Sequence, residues 1–195
     1  MFKALKLTVA VASISLFTTA CNRQVTRIDP KETIDISGNW NNSDSRMTAE
    51  AMIQQCLGGA WLQNHIEKKG KKPVVIVGFV NNKSHEHIDA ETFTKDLERS
   101  FVTTARVGLV QGGKKREELR AERADQQTNA SQSTMKKFGL ETGADYILQG
   151  TITSIVDAFK KKKVVEYQVS LELTDLQTNE VVWIGDKKIA KYVKN

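Results

Sequence analysis

Apolar and polar residues alternate most cleanly over residues 164–175. Val165, Tyr167, Val169, Leu171 and Leu173 fall on one side, and Glu166, Gln168, Ser170, Glu172 and Thr174 on the other. A period of two with one wet face predicts an antiparallel strand. Tyr146 to Val156, apolar and β-branched around Gly150, predicts the strand before it, with Phe159 to Lys163 as the charged hairpin tip between them. Asp175 to Asn179 supplies a second turn, and Val181 to Ile189, with Trp183, a closing strand. Upstream, Pro73 opens the continuous run Val74 to Val80, the composition of a central strand covered on both faces. Helical spacing appears in Ala49, Met52, Ile53, Cys56, Leu57, Ala60 and Trp61, with Gly58-Gly59 as an interruption and a shorter helical piece from Trp61 to Lys68. Phe93, Leu97, Phe101 and Ala105 step by four behind a capping Asp89, and Val107 to Val110 then predicts a short strand, giving a β-α-β unit over residues 73–110.

Other stretches are read from weaker patterns. Residues 34–42 predict a short strand or extended lead-in to a helix capped by Ser43 or Asp44. Residues 114–127, with five basic and four acidic side chains, fit a long exposed helix or a mobile insertion. Ser131 or Ser133 caps an expected helix carrying Met135, Phe138 and Leu140 and ended by Gly143. The sum is an α+β fold: one mixed, largely antiparallel sheet of four or five strands packed with three or four helices.

The first 21 residues follow a different pattern. Lys3 and Lys6 precede an uncharged, mostly apolar run from Leu7 to Phe17, then Thr18-Thr19-Ala20 and Cys21. Basic start, short apolar run and small residues make a secretory signal, and the run is well short of the ~20 residues that span a bilayer. Cys21 directly after Ala20 resembles the lipobox of bacterial lipoproteins, in which the cysteine carries the lipid, although Thr18 stands where Leu is usual. The expected divisions are a signal peptide over 1–20, a lipidated Cys21 with a short polar tether to residue 33, and a single domain over 34–195. Asn22, uncharged, leans by that resemblance toward the outer membrane.

Charge and composition add limits. The 195 residues carry 29 basic and 23 acidic side chains, and loss of residues 1–20 with Lys3 and Lys6 lowers the net charge from +6 to +4. So mild and interspersed an excess does not indicate a nucleic-acid partner. With Cys21 lipidated, Cys56 has no partner within the chain and reads as a small buried apolar residue. Gly108 to Lys114 matches phosphate-loop spacing, but Lys115 stands where the magnesium-holding Ser or Thr belongs. His85 and His87, beside Glu86 and Asp89, lack further ligands at metal spacing, and His65 lies in another segment. No nucleophile elbow is present, and Glu117-Glu118 lie in the most exposed stretch. An enzyme, a cofactor or a small-molecule substrate is not expected. Lys160 to Lys163 is the densest charge run, suited to a solvated hairpin end, to anionic headgroups or to an acidic partner.

Several blocks resemble the penicillin-binding protein activator LpoB family. They are Ile36 to Ile53, Val74 to Gly78, Glu86 to Asp89 leading into Phe93 to Leu97, Glu122 to Gln127, Gly143 to Ile152 and Asn179 to Gly185. The Gly143-Ala144-Asp145 strand element is shared more widely, with the N-terminal domain of TolB and with the lipoprotein CsgG. The resemblance implies an outer-membrane lipoprotein on the periplasmic face, with no cofactor beyond the covalent lipid on Cys21. It implies binding to a class A penicillin-binding protein, a bifunctional peptidoglycan synthase, and its allosteric activation. The alternative it leaves is an envelope structural or secretion-associated interaction module of the CsgG or TolB kind. Loops favour recognition, so Trp40, Asn41 and Asn42, together with Lys83, His85 and His87, are the candidate partner-binding residues.

Overall fold

The computed structural model describes residues 25–29 and 32–194. The signal segment and Cys21 lie outside the described residues. From Thr33 onward the chain forms one compact unit, and no helix among the described residues is long and apolar enough to cross a membrane.

Among the described residues four helices and five strands follow in the order α1 (Asn42–Leu57), α2 (Ala60–Lys69), β1 (Val74–Asn82), α3 (Ala90–Thr104), β2 (Gly108–Leu109), α4 (Gly113–Asn129), β3 (Tyr146–Phe159), β4 (Lys162–Asp175) and β5 (Val181–Lys194). The sheet order is β2-β1-β3-β4-β5. β1 runs parallel to both β2 and β3, while β3, β4 and β5 form an antiparallel meander. The parallel pairs are the two that need a crossover, and α3 supplies the one between β1 and β2.

The inward column of β4 is the one read from alternation: Val165, Tyr167, Val169, Leu171 and Leu173 are all buried. Each such side chain contributes about 1.5–3 kcal/mol by leaving water. Phe93, Leu97 and Phe101 of α3 and Ala49, Met52, Ile53, Cys56 and Leu57 of α1 close over that face. α1 ends where Gly59 turns extended after the helical Gly58, and the Trp61 indole donates to the Cys56 carbonyl at 2.7 Å, which fixes the angle between α1 and α2. Burial pushes the Cys56 thiol up to about 12, so the group is an inert core residue.

The opposite face of the sheet lacks such a cover. β1 is central but buried on one face only: Val75, Val77 and Val80 are inside, Val74 and Ile76 half-buried. A bulge between Val77 and Val80 gives β1 one extra residue against β3 and brings Phe79, exposed, beside Gln149 and Ile184. α4 buries no residue, resolving the charged stretch as an exposed helix, and its Arg120 and Arg123 both bind Glu141. Those two guanidiniums hold the Glu141 carboxyl down at about 2.

Four local expectations are corrected. Residues 34–42 form the lead-in and not the strand, and the cap they bring to α1 is Asn41 instead of Ser43 or Asp44. Met135, Phe138 and Leu140 lie in turns instead of a helix. Gly139 takes φ +74, and Phe138 and Leu140 are exposed with no surface to cover. Ala105 is not in the buried stripe: it turns left-handed at φ 54 and ends α3. The hairpin tip narrows to Lys160 and Lys161, since Phe159 pairs with Lys162.

Candidate partner-binding site

The two candidate segments, 40–42 and 83–87, are far apart in sequence and meet at one corner of the sheet. What joins them is Glu86. Its Oε2 accepts from the Trp40 backbone N–H at 3.0 Å and its Oε1 from the Tyr167 hydroxyl at 2.6 Å. His85 Nε2 lies 3.2 Å from the same Oε1. The carboxylate thus ties the entry of α1, the β1–α3 loop and the middle of β4 into one knot. Burial first, and then the Glu86 carboxylate, push the Tyr167 phenol well above its ordinary range, so it stays a donor.

Each side chain is placed by local chemistry. Asn82 accepts from the backbone N–H and the hydroxyl of Ser84 and donates to the Glu86 carbonyl, winding the loop into a tight turn. The His85 backbone N–H donates to Ser154 Oγ at 3.0 Å, and His85 Nδ1 lies 2.7 Å from the same oxygen, which turns Nε2 toward Glu86. The ring stacks on Tyr167 with centroids 6.2 Å apart and planes 22° apart. Trp40 meets Tyr167 and Phe93 edge-on at 5.5 and 6.3 Å.

Beside this knot lies a second one. Asn41 and Asp44 form a reciprocal capping box at the start of α1. Lys191, 8% exposed, reaches from β5 to the carboxylates of Asp35 and Asp44 and to the Asn39 carbonyl at 2.9 Å. Burial alone depresses such an ammonium, but the two carboxylates outweigh it and its pKa rises.

Of the six candidates, Trp40, Asn41 and His85 therefore take part in the knots. Asn42, Lys83 and His87 are exposed at the same corner or along the same loop. Glu86, Tyr167 and Lys191 are the members that sequence reading did not single out. Lys191 did leave a signal: it sits between Ile189 and Val193, in the column of β5 that faces the helices.

A cleft of about 1020 Å³ lies at the other end of the sheet, between α2, the start of β3 and the β4–β5 turn. There His65 Nδ1 meets the Tyr146 hydroxyl at 2.9 Å, and Asp145 Oδ2 accepts from the Val74 N–H at 2.8 Å. No group of three or more metal-ligating side chains occurs among the described residues. Each place holds a hydroxyl–imidazole contact, Ser154 with His85 at 2.7 Å and Tyr146 with His65 at 2.9 Å, built into the network that ties its loop or helix to the sheet.

The model of the family described as peptidoglycan-synthase activator LpoB matches residues 44–189. The chain belongs to the LpoB family. The match runs from the first turn of α1 into β5 and so reaches all five strands. It is a family of envelope lipoproteins that activate penicillin-binding proteins, regulators and not catalysts. Among solved structures, the LpoB C-terminal domain from Escherichia coli is similar at 19% identity, covering 76% of this chain and 99% of that one, with a TM-score of 0.43. The corresponding Salmonella enterica domain is similar at 19% identity over 75% and 98%, with a TM-score of 0.42. Lipoprotein GNA1162 from Neisseria meningitidis follows at 15% identity over 63% and 84%, with a TM-score of 0.40. Comparison with curated proteins returned no match.

Proposed function

We propose that this chain is a non-catalytic lipoprotein, anchored to the outer membrane through Cys21 and facing the periplasm, that binds a class A penicillin-binding protein and activates it. The observation that carries this is the family match across residues 44–189, most of the folded unit. Activation comes from differential binding: a surface of this domain fits the active state of the synthase better than the resting one. A typical coupling of about 1–3 kcal/mol raises the active population roughly 5- to 150-fold where that state is scarce.

In this reading the corner built on Glu86 is the contact surface. Asn42, Lys83, His85 and His87 offer accessible polar groups, while Trp40, Asn41 and Glu86 hold them in place. The tether is part of the mechanism too. About 13 residues separate Cys21 from Ile34, a reach of at most roughly 45 Å. The synthase must therefore extend to within that distance of the anchored end.

Affinity capture from the native cells, with the full chain as bait, tests the assignment. Recovery of a class A penicillin-binding protein that survives moderate salt supports it. Recovery of self-assembled rings or a secretion complex with no synthase overturns it in favour of the secretion-associated alternative.

A further inference from the structure

β3, β4 and β5 run on past the helices, and the end they reach is unlike the rest of the surface. Lys160 and Lys161 form the turn, Lys162 and Lys163 open β4, and Lys194 pairs with Lys162 across the sheet. Lys187 and Lys188 follow along the edge strand, both exposed. Between these cations stand exposed apolar side chains: Phe159 at 71%, Ile155 at 70%, Tyr192 at 61% and Val164 at 40%. Cross-strand register puts all four on the uncovered face, with Asp157 opposite Val164 and Lys162 opposite Phe159. Lys160 Nζ lies 5.2 Å from the centre of the Phe159 ring. The acidic members are Asp157 and Glu166, and Glu166 is engaged by Lys188.

A second, independent observation concerns where the chain enters the folded unit. Asp35 is bound by Lys191, and a Cβ on Gly38 would run into the Val193 side chain. Val193 pairs with Lys163. The N-terminal segment of the unit therefore lies against the same end of the sheet as the lysine tip.

We propose that this end is a docking surface for an anionic phospholipid bilayer: Phe159, Ile155 and Tyr192 enter the headgroup region while Lys160 to Lys163 and Lys194 bind lipid phosphates. Lysine stems reach charge to headgroups while their carbons stay on apolar surface, and aromatic rings favour that interface. A run of lysines gains attraction to an anionic leaflet with each charge brought near it. The inference deepens the anchored reading and rests on it for bringing a bilayer to this end. It adds that the tip, and not the Glu86 corner, faces the membrane. An acidic protein is the competing occupant. The open apolar side chains, and the first residues of the folded unit lying at this same end, favour the bilayer.

The test uses residues 22–195, which keep the whole compact unit and carry no lipid, with vesicles and no synthase, so failure here and failure of the activator reading are separate results. Cosedimentation is measured on phosphatidylcholine vesicles with and without 30% phosphatidylglycerol. Expected is binding to the anionic vesicles alone, lost at 0.5 M salt, where screening shortens to a few ångströms. Lys160→Gln/Lys161→Gln/Lys162→Gln/Lys163→Gln should weaken it tenfold or more. The same four-charge change at the far end of the sheet, Lys68→Gln/Lys69→Gln/Lys71→Gln/Lys72→Gln, should change it less than twofold. Lys160→Glu/Lys161→Glu, confined to the turn, must also weaken it, and unchanged thermal midpoints show that the fold persists. Equal binding to neutral vesicles, or equal loss in the far-end variant, overturns the proposal. So does absence of vesicle binding together with loss of synthase binding by the tip variant, which assigns the surface to an acidic protein.

Discussion

Replacing Glu86 by alanine isolates the contact that joins the two candidate segments. The carboxylate receives the Tyr167 hydroxyl at 2.6 Å and the Trp40 N–H at 3.0 Å, and its side chain is 13% exposed. Hydrogen bonds to a charged group are worth about 1.5–3 kcal/mol each, and a buried partner left unsatisfied costs about 1–3 kcal/mol. Partial exposure at this corner lets water replace some of the loss, so Glu86→Ala is expected to cost about 2–4 kcal/mol. Tyr167→Phe keeps the ring against Trp40 and His85 and removes only the hydroxyl, so about 1–2 kcal/mol is expected. The two changes share one bond. In urea unfolding of both single variants and the double, about 1–2 kcal/mol of coupling should appear, with unchanged m values. Additive losses, or a cost below about 0.5 kcal/mol for Glu86→Ala, would refute the view that this carboxylate pins the start of α1 to β4.

Lys191→Met strands the Asp44 carboxylate, 3% exposed, and should cost about 3 kcal/mol or more by urea unfolding. Because the folded-state pKa of Lys191 is raised, its contribution is complete below ~10.4 and is lost as pH climbs above it; the gap between wild type and variant should be constant from pH 7 to 9 and close only in stronger alkali. Gly150→Ala drives a methyl into the Ser170 carbonyl and the Leu171 side chain, where backbone cannot yield, and should cost more than about 2 kcal/mol in thermal or urea unfolding. Cys56, buried with its thiol pushed up to about 12, should resist Ellman's reagent in the native chain over residues 22–195 and react fully in denaturant; rapid native labelling would contradict its core placement.

Legibility in the sequence followed burial. β4, α1 and α3 each bury one regular face, so their periods of two or 3.6 survive in the chain and mark the elements correctly, while the continuous apolar run of β1 marks a strand but not that only one of its faces is covered. β3 beyond Val156 is held by the ladder alone, with exposed residues on both faces, and β5 beyond Ile189 puts a charged residue, Lys191, at its buried position, so no apolar alternation announces where either stops. β2 is two residues long and exists because Val74 and Val75 pair with it. The turns at 131–145 carry apolar residues at helical spacing with nothing to pack against, and a stripe without a partner does not make a helix. At the candidate site, loop position was legible but the hub was not. Glu86 and Lys191 act through partners 46 to 156 residues away, and only the folded sheet brings those distances together.

The measurement closest to the central claim is the cross-linking rate of a purified class A penicillin-binding protein from the same cells, titrated with the chain over residues 22–195. A saturable rise of about fivefold or more, reached at the concentration where binding saturates, is the result predicted. Binding without a change in rate, or no binding at moderate salt, would contradict it.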